Sequence, residues 1–208
     1  TDIFLMLLAI DVIVGPVITL IVFNPAKKEL RRDLAIVLVL QLTALAYGMH
    51  AVFIARPVYS VFSVDRFELV FANDLTDEKL AKVTDPRFKT LPVSGPRTIA
   101  ARRPDGSKER MEIAMSAVNG GDDVAQLPQF YQPYGEAKAL VLKRLEPLEK
   151  LHEFNKDRAA QVDELVRSFD KRPGGVGYLP LRGKVRDMTV LVARDSGDVI
   201  GMRDLAPW

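Results

Sequence analysis

The chain has 208 residues, 48% of them apolar, with 29 Lys and Arg against 27 Asp and Glu. It has no cysteine and only His50 and His152 as histidines, which excludes disulfides, thiolate chemistry, cysteine zinc sites and a histidine-rich metal centre. The charges are unevenly placed: residues 1–56 are nearly continuous apolar sequence with five basic and four acidic residues, whereas residues 57–208 hold 24 against 23. A water-facing region so balanced, with a net charge of about +1, has no electrostatic footprint for nucleic acid.

Two stretches in the first part are long enough to span a membrane. Ile3 to Phe23 carries one charge, Asp11, and Leu34 to Ile54 carries no Asp, Glu, Lys or Arg. As helices each reaches about 31 Å, close to the ~30 Å hydrocarbon core. The pattern predicts a transmembrane helical hairpin over residues 1–56, followed by a separate α+β domain over 57–208. The connection 24–33 contains Lys27, Lys28, Arg31 and Arg32, so the positive-inside rule places it in the cytoplasm. Residues 57–208 then face outward, into the periplasm of a Gram-negative cell, and the protein is expected to be a multi-pass protein of the bacterial inner membrane in contact with its lipid. A chain starting on the outer side needs a segment to carry it there, and Thr1 is not an initiator methionine, so a further membrane helix is expected upstream.

Polar groups within such helices mark packing or function. Asp11, Gly15 and Thr19 fall at i, i+4 and i+8 on one face of the first helix. Pro16 leaves the Val12 carbonyl without its helical donor, and Gln41 of the second helix is a candidate to supply one. A tight hairpin sets Asp11 near Ala46 and Tyr47, while Gly15 and Gly48 permit close backbone approach. These residues either hold the hairpin together or bind a partner helix.

After Arg56-Pro57, the Val- and Phe-rich run from Val58 to Ala72 predicts a first strand. Thr76 is placed to cap a short helix, and Arg97 to Arg103 reads as a strand closed by the turn signal Pro104-Asp105-Gly106. Ser107 is a candidate N-cap for a helix carrying Met111, Met115 and Val118 at helical spacing until Gly120-Gly121. Tyr134 to Phe169 reads as mostly helical, interrupted at Pro147. Gly177 to Leu181, Met188 to Arg194 and Val199 to Arg203 read as strands, the last two forming a hairpin through Asp195-Ser196-Gly197-Asp198. The simplest architecture is an antiparallel sheet with helices on one face.

Reaction chemistry finds little to work with. Gly174-Gly175-Val176-Gly177 precedes Gly183-Lys184, but Val185 stands where a phosphate loop needs Ser or Thr. Ser168 and Lys171 fit S-x-x-K without any companion motif. Asp122-Asp123 reads as a solvated turn. The segment QFYQPY, residues 129–134, places Phe130, Tyr131 and Tyr134 in a loop that either covers the sheet or anchors a partner. No catalytic residue, metal, cofactor or small-molecule substrate is expected.

Longer motifs suggest a family. Asp11-x-x-x-Gly15-Pro16-x-x-Thr19, Phe23-x-Pro25 with Lys28, Leu30 and Asp33-Leu34, and Gln41-x-x-Ala44-Leu45-x-Tyr47-Gly48 resemble the membrane signature of type IV pilin accessory proteins. Arg56-Pro57-Val58-x-x-Val61-Phe62-x-Val64-Asp65-Arg66-Phe67 and the terminal Pro207-Trp208 are similar to that family's first strand and ending. The resemblance implies a pilin chaperone of the TfpX/TfpZ type, not an enzyme, with the type IV major pilin as partner. It also implies a preceding membrane helix. The competing expectations are a membrane-tethered sensor or ligand-binding domain and, more remotely, a Ser168/Lys171 hydrolase.

Overall fold

A computed structural model describes Val17, residues 30–169 and residues 172–208. The chain divides into two compact units, Thr1–Ala55 and Arg56–Trp208. The expected first span, Ile3 to Phe23, lies outside the described residues, so the described part shows one apolar helix where the sequence predicts a hairpin.

That helix, α1, spans Leu30–Ile54. Its 25 residues reach about 37 Å, long and apolar enough to cross a membrane. It takes in Leu30, Arg31 and Arg32 ahead of the apolar run because these are good helix formers, and Asp33 sits in the first turn where its carboxylate opposes the helix dipole. No side chain of α1 is buried. The less exposed residues, Leu30, Asp33, Leu34, Val37, Gln41 and Gly48, recur at helical spacing and form one stripe. Thr43 satisfies its hydroxyl on its own helix, donating to the Val39 carbonyl at 2.8 Å.

The second unit is an eight-stranded sheet in the order β4-β3-β1-β2-β6-β7-β8, with the short β5 beside β6. The strands are β1 (Pro57–Ser63), β2 (Arg66–Phe71), β3 (Arg97–Ala101), β4 (Tyr131–Pro133), β5 (Glu146–Pro147), β6 (Val176–Arg182), β7 (Met188–Ala193) and β8 (Val199–Arg203). Between them lie α2 (Asp77–Ala81), α3 (Ser107–Val118), α4 (Tyr134–Arg144), α5 (Leu151–Phe154) and α6 (Ala159–Phe169).

Three expectations are corrected. The single strand over 58–72 is a hairpin: β1 and β2 pair antiparallel and close at Ser63 opposite Arg66. The turn turns on Val64, whose φ of 58° is the only positive value at a described non-glycine residue. The sheet is mixed, since β1 pairs β3 and β2 pairs β6 in parallel. Parallel neighbours need long excursions. The segment between β2 and β3 carries the chain past β1 along the end at which β2 finishes, and the helical stretch between β4 and β6 returns it to the opposite end.

The helices also cover both faces. Ala137 and Val141 of α4 pack with Phe62, Phe67, Ala100, Leu179, Leu181, Val190 and Val192 on one face. The alternate residues Tyr178 and Leu191 face the other way, against Leu148, Leu151, Val162 and Leu165. At the far half of that second face, Tyr59, Val61, Val70 and Ile99 are covered by Leu75, Val83, Phe88 and Ala125 from short helical turns. Burial on both sides explains why β7 reads as continuous apolar sequence rather than as alternation.

Helix α3 stands apart from this core. Gly106, not Ser107, occupies its N-cap position, and Met111, Met115 and Val118 are exposed despite their helical spacing.

Candidate partner-binding surfaces

Of the membrane-face residues singled out by sequence, Asp11, Gly15, Pro16 and Thr19 lie outside the described residues. Gln41, Tyr47 and Gly48 are all on α1 but not on one face. Gln41 and Gly48, seven positions apart, share the half-buried stripe with Leu34 and Val37. A Cβ placed on Gly48 would meet no atom within 4 Å, so the helix keeps an open notch there. Tyr47 is 75% exposed and lies about 120° around the helix from Gln41, on a second polar stripe with Thr43 and His50.

The aromatic loop is built into the core. Phe130 and Tyr131 are buried. The Tyr131 hydroxyl donates to the Ala125 carbonyl at 2.7 Å, and the ring meets Tyr59 and Phe88 edge-on. Burial holds its phenol well above the ordinary tyrosine range. Tyr134 donates to the Gly197 carbonyl at 2.7 Å, tying the start of α4 to the β7-β8 turn, and burial raises its pKa too. These three side chains cover the sheet. Arg102 lies over the Phe130 ring at 5.3 Å.

The chemical motifs resolve into structure. The Ser168 hydroxyl donates to the Leu165 carbonyl of its own helix at 2.7 Å, and Lys171 is outside the described residues. His152 pairs with Asp163 at 3.2 Å on the exposed side of α5 and α6. Asp122 accepts from Lys79 at 2.7 Å, while Asp123 caps the following turn through the Val124 amide. Gly174 and Gly175, with φ of 79° and 73°, turn the chain into a strand rather than a helix, which removes the geometry a phosphate loop requires. Among the described residues no group of three or more His, Asp or Glu could hold a metal ion.

Sequence reasoning missed an arrangement at the end of the domain. Asn155, fully buried, donates to the Ala206 carbonyl at 2.8 Å and accepts from the Ala206 amide at 2.8 Å. Thr189 donates to Leu205, Tyr178 to Pro207 and Arg158 to Asp204, all at backbone carbonyls. Residues 204–208 thus lie across the second face as a strap gripped by side chains, with Leu205 buried beneath it. A cleft of about 270 Å³ opens beside the strap between Phe154, Pro180 and Trp208. Two of its rim charges pair with each other, Lys150 with Glu146 at 3.1 Å, and Asp65 pairs with Arg66 at 3.6 Å. In the sequence, only the resemblance of the terminal Pro207-Trp208 to the ending of pilin accessory proteins hinted that this end has a fixed place.

Comparison with known proteins adds what the geometry does not. The chain is 32% identical over 170 residues to the fimbrial assembly protein, serogroup I, of Dichelobacter nodosus, a match covering 81% of this chain and 65% of that protein. The chain is similar to fimbrial assembly proteins. The serogroup E1 protein of the same organism is 31% identical over the same length and share of each chain. The protein of serogroups C1 and C2 is 37% identical over 79 residues, 37% of this chain and 60% of that one. The chain therefore spans just under two thirds of the length of the first two relatives. No family model and no solved structure matches it.

Proposed function

We propose that this chain is a membrane-anchored, non-enzymatic accessory factor of type IV fimbriae, which holds the major pilin in the inner membrane before assembly. The observation that carries the reading is the similarity over 170 residues to proteins named for fimbrial assembly. A helix able to cross a membrane, joined directly to a periplasmic domain, matches the layout of a pilin waiting with its own apolar helix and external head. Between helices in lipid, association comes from close packing and polar contacts. The Gln41-Gly48 stripe of α1, with its notch at Gly48, is the described part of such a surface, and Asp11, Gly15, Pro16 and Thr19 extend it by sequence.

Co-purification from native membranes tests the reading, because its partner is named in advance. Pilin should be recovered with the chain, and recovery should fall with Gly48→Leu or Gly15→Leu while the abundance of the chain does not. Pilin recovered no better than from membranes lacking the chain would sink the proposal. Topology is tested by single cysteines in this cysteine-free sequence. In intact spheroplasts an impermeant thiol reagent should label Ser107→Cys, and it should reach Ala26→Cys only after lysis; the reverse pattern overturns the periplasmic placement. Ser168→Ala should leave piliation normal, since its hydroxyl serves its own helix. Loss of pili with folded protein still present would restore the hydrolase reading.

A further inference from the structure

One end of the sheet gathers features that no core requirement explains. Strand β1 starts there at Pro57, opposite Phe71 at the end of β2, and β3 enters alongside with Arg97 next to Tyr59. Because β6 runs parallel to β2 with Arg182 beside Glu68, the β6-β7 loop reaches the same end. There Lys184 lies over the Phe71 ring at 4.7 Å and pairs with Asp74 at 2.6 Å. The loop leading into β3 is fixed to this end as well, since Arg56 donates to the Pro92 carbonyl through Nε and Nη2 at 3.3 Å.

Both loops carry an aliphatic tip turned to solvent: Val185 is 98% exposed and Val93 is 75% exposed. Each is flanked by cations. Lys184 and Arg186 bracket Val185, and Arg97 follows Val93 by four positions. Scattered exposed aliphatics are ordinary on a soluble surface, so their coincidence at one end is what counts. The same end holds Arg56 and Pro57, which follow the apolar helix directly. From Ile54 to Pro57 the chain can span no more than about 11 Å.

We infer that this end of the domain docks on the phospholipid surface that α1 enters, with Val93 and Val185 seated among the headgroups and Lys184, Arg186 and Arg97 facing lipid phosphates. Arg186 pairs with the half-exposed Asp204, a surface pair weak enough for a lipid phosphate to compete with it. Lys184 is itself half-exposed although its partner Asp74 is largely buried, and its ammonium keeps further donors for a phosphate. Apolar tips with basic neighbours bind anionic interfaces through both burial and charge. Docked in this way, the domain has a fixed height and orientation over the bilayer. The inference rests on α1 crossing the membrane, and its test separates the two.

Full-length chain is reconstituted into vesicles of phosphatidylcholine, with or without phosphatidylglycerol, carrying spin-labelled lipid. A fluorophore is attached to single cysteines at Val185→Cys, Val93→Cys, Ser196→Cys and Leu42→Cys. Ser196 is exposed in the β7-β8 turn, at the opposite end of the sheet, and Leu42 is an exposed residue of α1. Probes at 185 and 93 should lose about half of their emission to a shallow spin label, as for a side chain ~5–10 Å into the headgroup boundary. The probe at 196 should keep its emission, and that at 42 should respond to a deep label. Lys184→Glu combined with Arg186→Glu should weaken quenching at 185 severalfold in phosphatidylglycerol vesicles and leave 42 unchanged. Emission at 185 and 93 as unaffected as at 196, with 42 still quenched, overturns the docking alone. Emission unaffected at 42 as well overturns the membrane span and the docking with it.

Discussion

Val64 holds a conformation that β-branched residues avoid. The Asp65 amide donates to the Ser63 carbonyl at 2.7 Å, closing a three-residue turn around a φ of 58°. Such a turn is strained for any L-residue with a branched Cβ, at a cost of about 1–2 kcal/mol. Val64→Asn, which tolerates this region, should raise the melting temperature by roughly 2–4 °C, read by circular dichroism, and an unchanged value would mean the turn carries no strain. Asn155 works in the opposite sense. Its amide satisfies both the N–H and the C=O of Ala206, so Asn155→Ala leaves two partly buried backbone groups without their partner at a cost of about 1–3 kcal/mol. Loss of less than a degree in a thermal melt would show that Leu205 and the contacts from Thr189, Tyr178 and Arg158 hold the strap without Asn155.

Among the elements, β4, β6 and the start of α4 carry tyrosines that make the fold sensitive to alkaline pH. Burial raises the pKa of Tyr131 and Tyr134, and it pushes the Tyr178 phenol up to about 12. Each of these groups binds its proton more tightly folded than unfolded. The stability they contribute is therefore fully present below the unfolded tyrosine value near 10 and is lost as pH rises toward the folded values. Each should steepen the fall by about 1.4 kcal/mol per pH unit above ~10. Tyr131→Phe should make that fall shallower in urea titrations between about pH 10 and 12, and an unchanged slope would show that Tyr131 ionises while still folded.

The elements also differ in how far the sequence disclosed them. Strands β6, β7 and β8 were legible from apolar runs bounded by glycine and Asp-Ser-Gly-Asp, and α3 from the breakers on either side of it, although its N-cap is Gly106 rather than Ser107. The β1-β2 turn was not, because Val64-Asp65 lacks the Gly or Asn that normally announces a tight hairpin. Parallel pairing of β1 with β3 and β2 with β6 is set by the path of distant segments, which local periodicity does not encode. For the candidate surfaces, sequence grouped Gln41, Tyr47 and Gly48 together, whereas the helix sets Tyr47 on a different stripe from Gln41 and Gly48. It left open whether Phe130, Tyr131 and Tyr134 cover or bind, since an aromatic loop reads the same in either case until its hydroxyl partners are known.

At the scale of the whole molecule, the three apolar clusters of the second unit draw only on residues from Val58 to Leu205. A region of this size buries roughly 68–70% of the surface its unfolded chain exposes, enough for a self-sufficient core. Residues 56–208 produced without α1 should therefore be soluble and unfold in one cooperative transition by circular dichroism and tryptophan fluorescence together. Two transitions, or aggregation on expression, would mean that the domain depends on the preceding segment.

The strap has a consequence in time. Leu205 completes the cluster around Leu151, Val162 and Tyr178, and the Asn155 grip on Ala206 joins positions 51 apart in the chain. A polypeptide made from its N-terminus completes the strap residues late, after β6 and β7 are already made. Until they arrive, the apolar floor beneath the strap is open to whatever lies nearby, and domains with such late, long-range closures are the ones most exposed to misassociation. The interval between synthesis of Asn155 and synthesis of Ala206 is thus the period in which this domain is most open to wrong partners.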